Sequence, residues 1–155
     1  MDVLTPEQRR LNMSRIKGRD TAPEMIIRRA LHARGFRYRL HDKRLPGRPD
    51  LVFPKHHAAI FIHGCFWHGH DCHLFKWPAT RREFWQHKIE QNRLRDEKAI
   101  SALSSKGWRT LVVWECSLKG PRKRAPSDVI SHCEAFLNST RSRRHELQGT
   151  ELSHG

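Results

Sequence analysis

Residues 47–53 read GRPDLVF and residues 57–64 read HAAIFIHG. The first is turn chemistry followed by a short apolar run; the second is an apolar run that ends at His63. Short apolar runs between turn signals read as strands of a buried sheet. Asp50 then stands at the start of one strand, and His63 at the end of its neighbour. If the two strands pair, both side chains arrive at one end of the sheet. An acid and an imidazole gathered there have the layout that holds Mg²⁺ against a scissile phosphate. The alternative is a plain turn aspartate.

Working outward, WRTLVVWEC (108–116) is the most apolar segment and reads as another buried strand. FRYRLHD (36–42) alternates apolar and polar residues and reads as a half-buried strand. Three capping boxes open helices. Thr5 with Gln8 starts a basic helix, PEQRRLNMSRIK, which Gly18 ends. Thr21 with Glu24 starts APEMIIRRALHARG, with Met25, Ile26, Ala30 and Leu31 on one side. Thr80 with Glu83 opens a long helix that Gly107 closes. Pro126 and Ser127 open a last helix. From Arg141 the chain is polar, and disorder is expected. The order is helix, helix, three strands, helix, strand, helix. That is an α/β chain with a central mixed sheet flanked by helices. Residues 1–20 form a basic arm, 21–140 the folded domain and 141–155 a tail.

The 155 residues suffice for one domain with a core. Thirty basic residues against sixteen acidic ones give a net charge of +14. Such an excess points to a polyanion, with nucleic acid first and a membrane surface second. No apolar run approaches the ~20 residues of a spanning helix. The start, MDVLTPEQRR, has no apolar segment of the kind a secretory signal needs.

Residues 61–73, FIHGCFWHGHDCH, hold four histidines and two cysteines. Cys65, His70 and Cys72 with Cys116 make three thiolates and one imidazole, a tetrahedral Zn²⁺ set with no open position. His68 and His73 are rival ligands. Such a metal would be structural and would pin the loop to the end of a core strand. Cys133 falls at an apolar helical position and reads as core. For hydrolysis, Asp50 is the metal anchor, and His68 or His63 is the base. Glu24 orients water or a histidine, or serves only its capping box.

The string LPGRPDLVF…FIHGCFWHGHDCHLFKWPATRREFW…GWRTLVVWEC, with KGRDTAPE and NMSRIK before it, resembles the very short patch repair (Vsr) endonuclease family over residues 10 to 120. The resemblance implies a restriction-endonuclease-like fold of the PD-(D/E)xK kind and a structural zinc at Cys65, His70, Cys72 and Cys116. It implies Mg²⁺-dependent, strand-specific nicking of double-stranded DNA, 5′ to the mispaired thymine of T·G mismatches left by deamination of 5-methylcytosine. By position, Asp50 resembles the Mg²⁺ ligand and His68 the general base, with His63 and Glu24 further active-site residues. Phe61-Ile62-His63 stands where the wider superfamily has Glu-x-Lys. Ile62 replaces the family's usual threonine, so a Mg²⁺ contact there would use the backbone carbonyl. The resemblance also implies work beside a cytosine-5 DNA methyltransferase; a cytoplasmic, nucleoid-associated bacterial monomer is expected, with mismatch-repair proteins as candidate further partners.

A mismatch is stacked less securely than a matched pair, so rings wedged beside it unstack it at lower cost. Phe66, Trp67 and Trp85 are the expected intercalating wedge, the last through the resemblance alone. Arg9, Arg10, Arg15, Lys17 and Arg19 would track phosphates. Arg81 and Arg82 oppose the dipole of the long helix, which suggests an anionic partner. A related restriction or homing enzyme and a non-enzymatic zinc-stabilised DNA-binding protein are the competing functions.

Overall fold

The two apolar runs pair. The computed structural model describes residues 20–139, 141 and 143–150. Strand β2 (Leu51–Phe53) lies antiparallel to β3 (Ala58–His63), with Leu51 opposite Ile60 and Phe53 opposite Ala58. The turn between them closes on His57 at φ 50°. Strand β4 (Arg109–Trp114) runs parallel to β3 and brings Trp114 opposite His63. The helix α2 (Arg82–Ser105) links them, as a parallel crossover requires. Helix α1 (Ala22–Ala33) precedes a short antiparallel strand, β1 (Arg39–Leu40), that pairs with β2. Helix α3 (Pro126–Asn138) follows β4 and leads to β5 (Arg144–Leu147), parallel to β4. The sheet order is β1-β2-β3-β4-β5, so the structure is a mixed α/β fold.

Period-2 alternation sends side chains of β3 and β4 to two helical layers. Ile60, Leu111 and Val113 meet Ile27 and Leu31 of α1 and Val129, Cys133 and Phe136 of α3. Phe61, Val112 and Trp114 meet Ile100 and Leu103 of α2. Covering on both faces is why these strands read as continuous apolar runs. Each fully buried Leu, Ile or Phe stabilises the fold by ~1.5–3 kcal/mol relative to exposure. Burial pushes the Cys133 thiol up to about 12, in keeping with an inert core position. No helix among the described residues is long and apolar enough to cross a membrane.

Four expectations need correction. The inner stripe of α1 is Glu24, Ile27 and Leu31, whereas Ile26 is 39% exposed. The helix is turned this way because His41 and Arg28 bond the Glu24 carboxylate and compensate its burial. Thr80 does not cap α2: Arg81 holds that position in the left-handed region, with no side-chain cap and its guanidinium 4.2 Å above the Phe84 ring. The strand expected over 36–42 shrinks to two exposed residues. Residues 144–147, placed in the disordered tail, form β5. The outer edge of β4 offers unpaired backbone groups, Leu147 is buried, and Arg144 pairs with Glu97 at 2.9 Å. The basic helix expected before residue 20 lies outside the described residues.

Candidate active site and metal centre

The carboxyl ends of β3 and β4 and the amino end of β2 lie on one side of the sheet, where open α/β sheets bind ligands. A cleft of about 150 Å³ opens there, lined in part by Asp50, Ile62, His63, His68, Arg95 and Asp96. The structure therefore brings Asp50, His63 and His68 together. Oδ2 of Asp50 accepts the Ile62 N–H at 2.7 Å, which ties the acid to β3. Burial pushes the Asp50 carboxyl up to about 7; the Ile62 N–H opposes the shift and the nearby Glu24 carboxylate adds to it. A buried acid beside a second acid offers the oxygen donors that a hard cation takes. The Ile62 side chain packs against the α1/α3 core, so the backbone is what Ile62 can present to the cleft.

Glu24 reaches the site through a residue that sequence reasoning missed. His41 Nε2 lies 2.8 Å from Glu24 Oε1 and 3.9 Å from Asp50 Oδ1. His41 itself has φ 45°, the left-handed strain that clusters at functional sites. Nothing in FRYRLHD marked it beyond its place before the turn.

His63 and His68 stack face to face, with centroids 3.8 Å apart and planes 1° from parallel. Burial, and secondarily His68, hold His63 well below the ordinary histidine range, so it is neutral. Its Nδ1 is buried and has no hydrogen-bond partner among the described residues. His68 Nδ1 lies 2.5 Å from Asp96 Oδ2, which assigns the Nδ1–H tautomer and leaves Nε2 as the basic nitrogen. Asp96 was also missed, because one acid within RLRDEK looks like solvated helix charge.

Cys65, His70, Cys72 and Cys116 offer three sulfurs and one nitrogen, all within 4.8 Å of one another. The four cysteines of the chain are free thiols. His70 Nδ1 lies 3.6 Å from Cys65 Sγ and 3.7 Å from Cys116 Sγ. Tetrahedral zinc with ordinary bond lengths separates a nitrogen and a sulfur ligand by about 3.6 Å. Burial drives the Cys65 thiol far up from its ordinary value and raises that of Cys116, so a bound cation is what would stabilise these thiolates. The residues present fit a tetrahedral metal. Of the rival ligands, His68 turns to Asp96, and His73 is absent from the cluster.

Trp114 sits between the two centres: it stacks on His70 at 4.1 Å and meets His63 edge-on at 5.3 Å. Beyond the cluster, Phe66, Trp67 and Trp85 contact one another with centroids 5.3–5.8 Å apart. Asn92 of α2 donates to the Trp67 carbonyl at 2.9 Å and holds the loop. Gly69, at φ 63°, lets the loop close on α2: a Cβ there would lie 2.6 Å from Ile89 Cγ2. Phe84 is 46% exposed and Trp77 lies under the Arg82 guanidinium at 5.8 Å, so the arginines at the start of α2 rest on rings. Arg9, Arg10, Arg15, Lys17 and Arg19 lie outside the described residues.

A strongly basic chain whose sheet end gathers a buried acid, stacked imidazoles and an oriented histidine is built as a nuclease. Comparison with known proteins agrees. The family model described as DNA mismatch endonuclease Vsr matches residues 1–74. A type II nicking enzyme of Xanthomonas oryzae pv. oryzae, V.XorIIP, is 49% identical over 117 residues, covering 76% of this chain and 86% of the relative. The DNA mismatch endonuclease Vsr of Escherichia coli K12 is 46% identical over 136 residues, 88% of this chain and 87% of the relative. The type II nicking enzyme V.NmeAIP of Neisseria meningitidis is 43% identical over 118 residues, 76% of this chain and 84% of the relative. The chain belongs to the DNA mismatch endonuclease Vsr family.

Proposed function

We propose that this endonuclease nicks one strand of double-stranded DNA 5′ to the mispaired thymine of a T·G mismatch, repairing sites that a cytosine-5 DNA methyltransferase makes prone to deamination. The observation that carries this is the convergence of Asp50, His63 and the His68–Asp96 pair on one cleft. The order of sheet and helices suits a restriction-endonuclease-like fold.

Asp50 and the Ile62 carbonyl would hold Mg²⁺, which when bound neutralises charge on the scissile phosphate. His68 takes the proton of the attacking water at Nε2, and the Asp96 carboxylate stabilises the imidazolium that forms. Neutral His63 supplies a hydrogen-bonding atom with no competing partner among the described residues. Glu24, through His41, keeps Asp50 in position. Cys65, His70, Cys72 and Cys116 hold a structural Zn²⁺ that stiffens the loop bearing Phe66 and Trp67. Those rings, with Trp85, enter the weakened stack beside the mismatch. Arg9, Arg10, Arg15, Lys17 and Arg19 meet phosphates and set the register.

Single-turnover nicking of a T·G duplex and its C·G counterpart with Mg²⁺ tests this. The wild type should cut the thymine strand of the first and leave the second largely intact, and Asp50→Ala should cut neither. Equal cleavage of both duplexes would favour a restriction-type enzyme; equal activity in Asp50→Ala would remove Asp50 from the chemistry.

A further inference from the structure

The polar segment after β5 returns to the Cys/His cluster. Gln148 Oε1 lies 3.0 Å from His70 Nε2, and the Gly149 N–H donates to Cys116 Sγ at 3.3 Å. Both contacts land on atoms that decide whether the cluster can hold a metal. If Gln148 accepts the Nε2–H, the lone pair of His70 is committed to Nδ1, the nitrogen that faces the sulfurs. An N–H bonded to a sulfur holds that sulfur in one orientation toward the cluster.

The segment is held in place from the other side as well. Arg124 Nε donates to the Gln148 carbonyl at 2.7 Å, and the Thr150 N–H donates to the Arg122 carbonyl at 2.8 Å. The approach is too close for a side chain at residue 149: a Cβ there would lie 2.7 Å from both the Cys116 and Arg122 carbonyl oxygens. The pairing of β5 with β4 delivers this segment to the turn that carries Cys116.

We propose that Gln148 and Gly149 are positioning residues for the metal centre: Gln148 fixes His70 as an Nδ1 ligand, and the Gly149 amide orients the Cys116 sulfur. The proposal rests on the zinc reading of this cluster. Docking of the C-terminal strand and retention of zinc are then one event. A segment far from the loop in sequence controls how firmly the loop and its rings are held.

The test is the rate at which full-length, zinc-loaded protein releases Zn²⁺ to a chromophoric chelator. Gln148→Leu and Gly149→Ala should weaken zinc retention by roughly 10–100-fold, the usual effect of losing such partners. Gln148→Glu still accepts from Nε2–H and should keep the wild-type rate, which a merely structural role for the segment would not predict. Nitrogen-15 spectra of the wild type need no variant and should show His70 metallated at Nδ1 and protonated at Nε2. Wild-type release in both Gln148→Leu and Gly149→Ala, or coordination through Nε2, overturns the proposal while leaving the zinc centre intact. Wild-type protein without stoichiometric Zn²⁺ overturns the zinc reading itself, and the proposal with it.

Discussion

Asp50 carries two opposing demands. Folding places its carboxylate in a dry site near Glu24, while the chemistry asks it to be charged. Its carboxyl is raised to about 7 in the folded protein, against about 3.9 in the unfolded chain. Between those values the folded state binds more protons, so this group's contribution to stability is full below about pH 4 and is lost as the pH rises through about 7. Asp50→Asn keeps an acceptor for the Ile62 N–H and removes the charge. The metal-free variant should therefore melt higher than wild type at pH 8, by about 2–4 °C for each kcal/mol recovered, and equal to it at pH 4. The same variant should lose nicking by ~10²-fold or more. Calorimetry at the two pH values checks the first statement; a lower melting point at pH 8 would contradict it. Asp96→Asn should slow nicking by ~10²-fold or more while zinc content and duplex binding stay at wild-type levels, because it removes only the group that orients and charge-stabilises His68. Rapid-quench kinetics beside metal analysis would separate those effects. Asp96 and His41 were not legible in the sequence: each gains its meaning from a partner 28 or 17 positions away. Asp50, His63, Cys65 and Cys116 were legible because they lie beside strands whose apolar runs are unmistakable, and Cys72 because it shares one loop with Cys65 and His70.

The strands and the long helix followed from local pattern. β2, β3 and β4 are apolar because both faces are covered, and α2 has the length a parallel crossover needs. β5 did not follow, because an edge strand held by backbone pairing has no apolar alternation to announce it. Three of its four residues are exposed. The capping box at Thr80 failed because Arg81 stacks on Phe84 in a left-handed conformation. The loop over residues 64–73 is tied by close turns such as His70 N–H to Cys65 O at 2.9 Å and by Asn92 at the Trp67 carbonyl, and on the proposed reading a metal at the cluster would stiffen it further. Removing zinc with a chelator should loosen Phe66 and Trp67 from Trp85 and shift the tryptophan emission. Preference for the T·G duplex over the matched one should fall with it, since each base–ring stack is worth ~1–3 kcal/mol. Phe66→Ala with Trp67→Ala should reproduce that loss with zinc still bound. Unchanged preference in both would mean the rings are not the wedge.

The fold places two centres at one end of a five-stranded sheet and gives them different chemistries. Thiolates and an imidazole gather in a set that could hold a metal; carboxylates and imidazoles line a cleft; Trp114 packs between them. The class of fold was legible in the order of helices and strands, and three members of the Cys/His set in the spacing of one loop. The relation between the two centres was not, since it lies in tertiary packing. Other groupings compete for a cation: His63, His68 and Asp96 form one, and Asp20, Glu24 and His41 another. Anomalous diffraction from crystals of the zinc-loaded protein soaked in Mn²⁺ decides among them. The account predicts a zinc-edge peak within the Cys65, His70, Cys72 and Cys116 cluster and a separate manganese-edge peak against the Asp50 carboxylate. Manganese seated on His63, His68 and Asp96 instead, or a thiolate cluster without zinc, would contradict it.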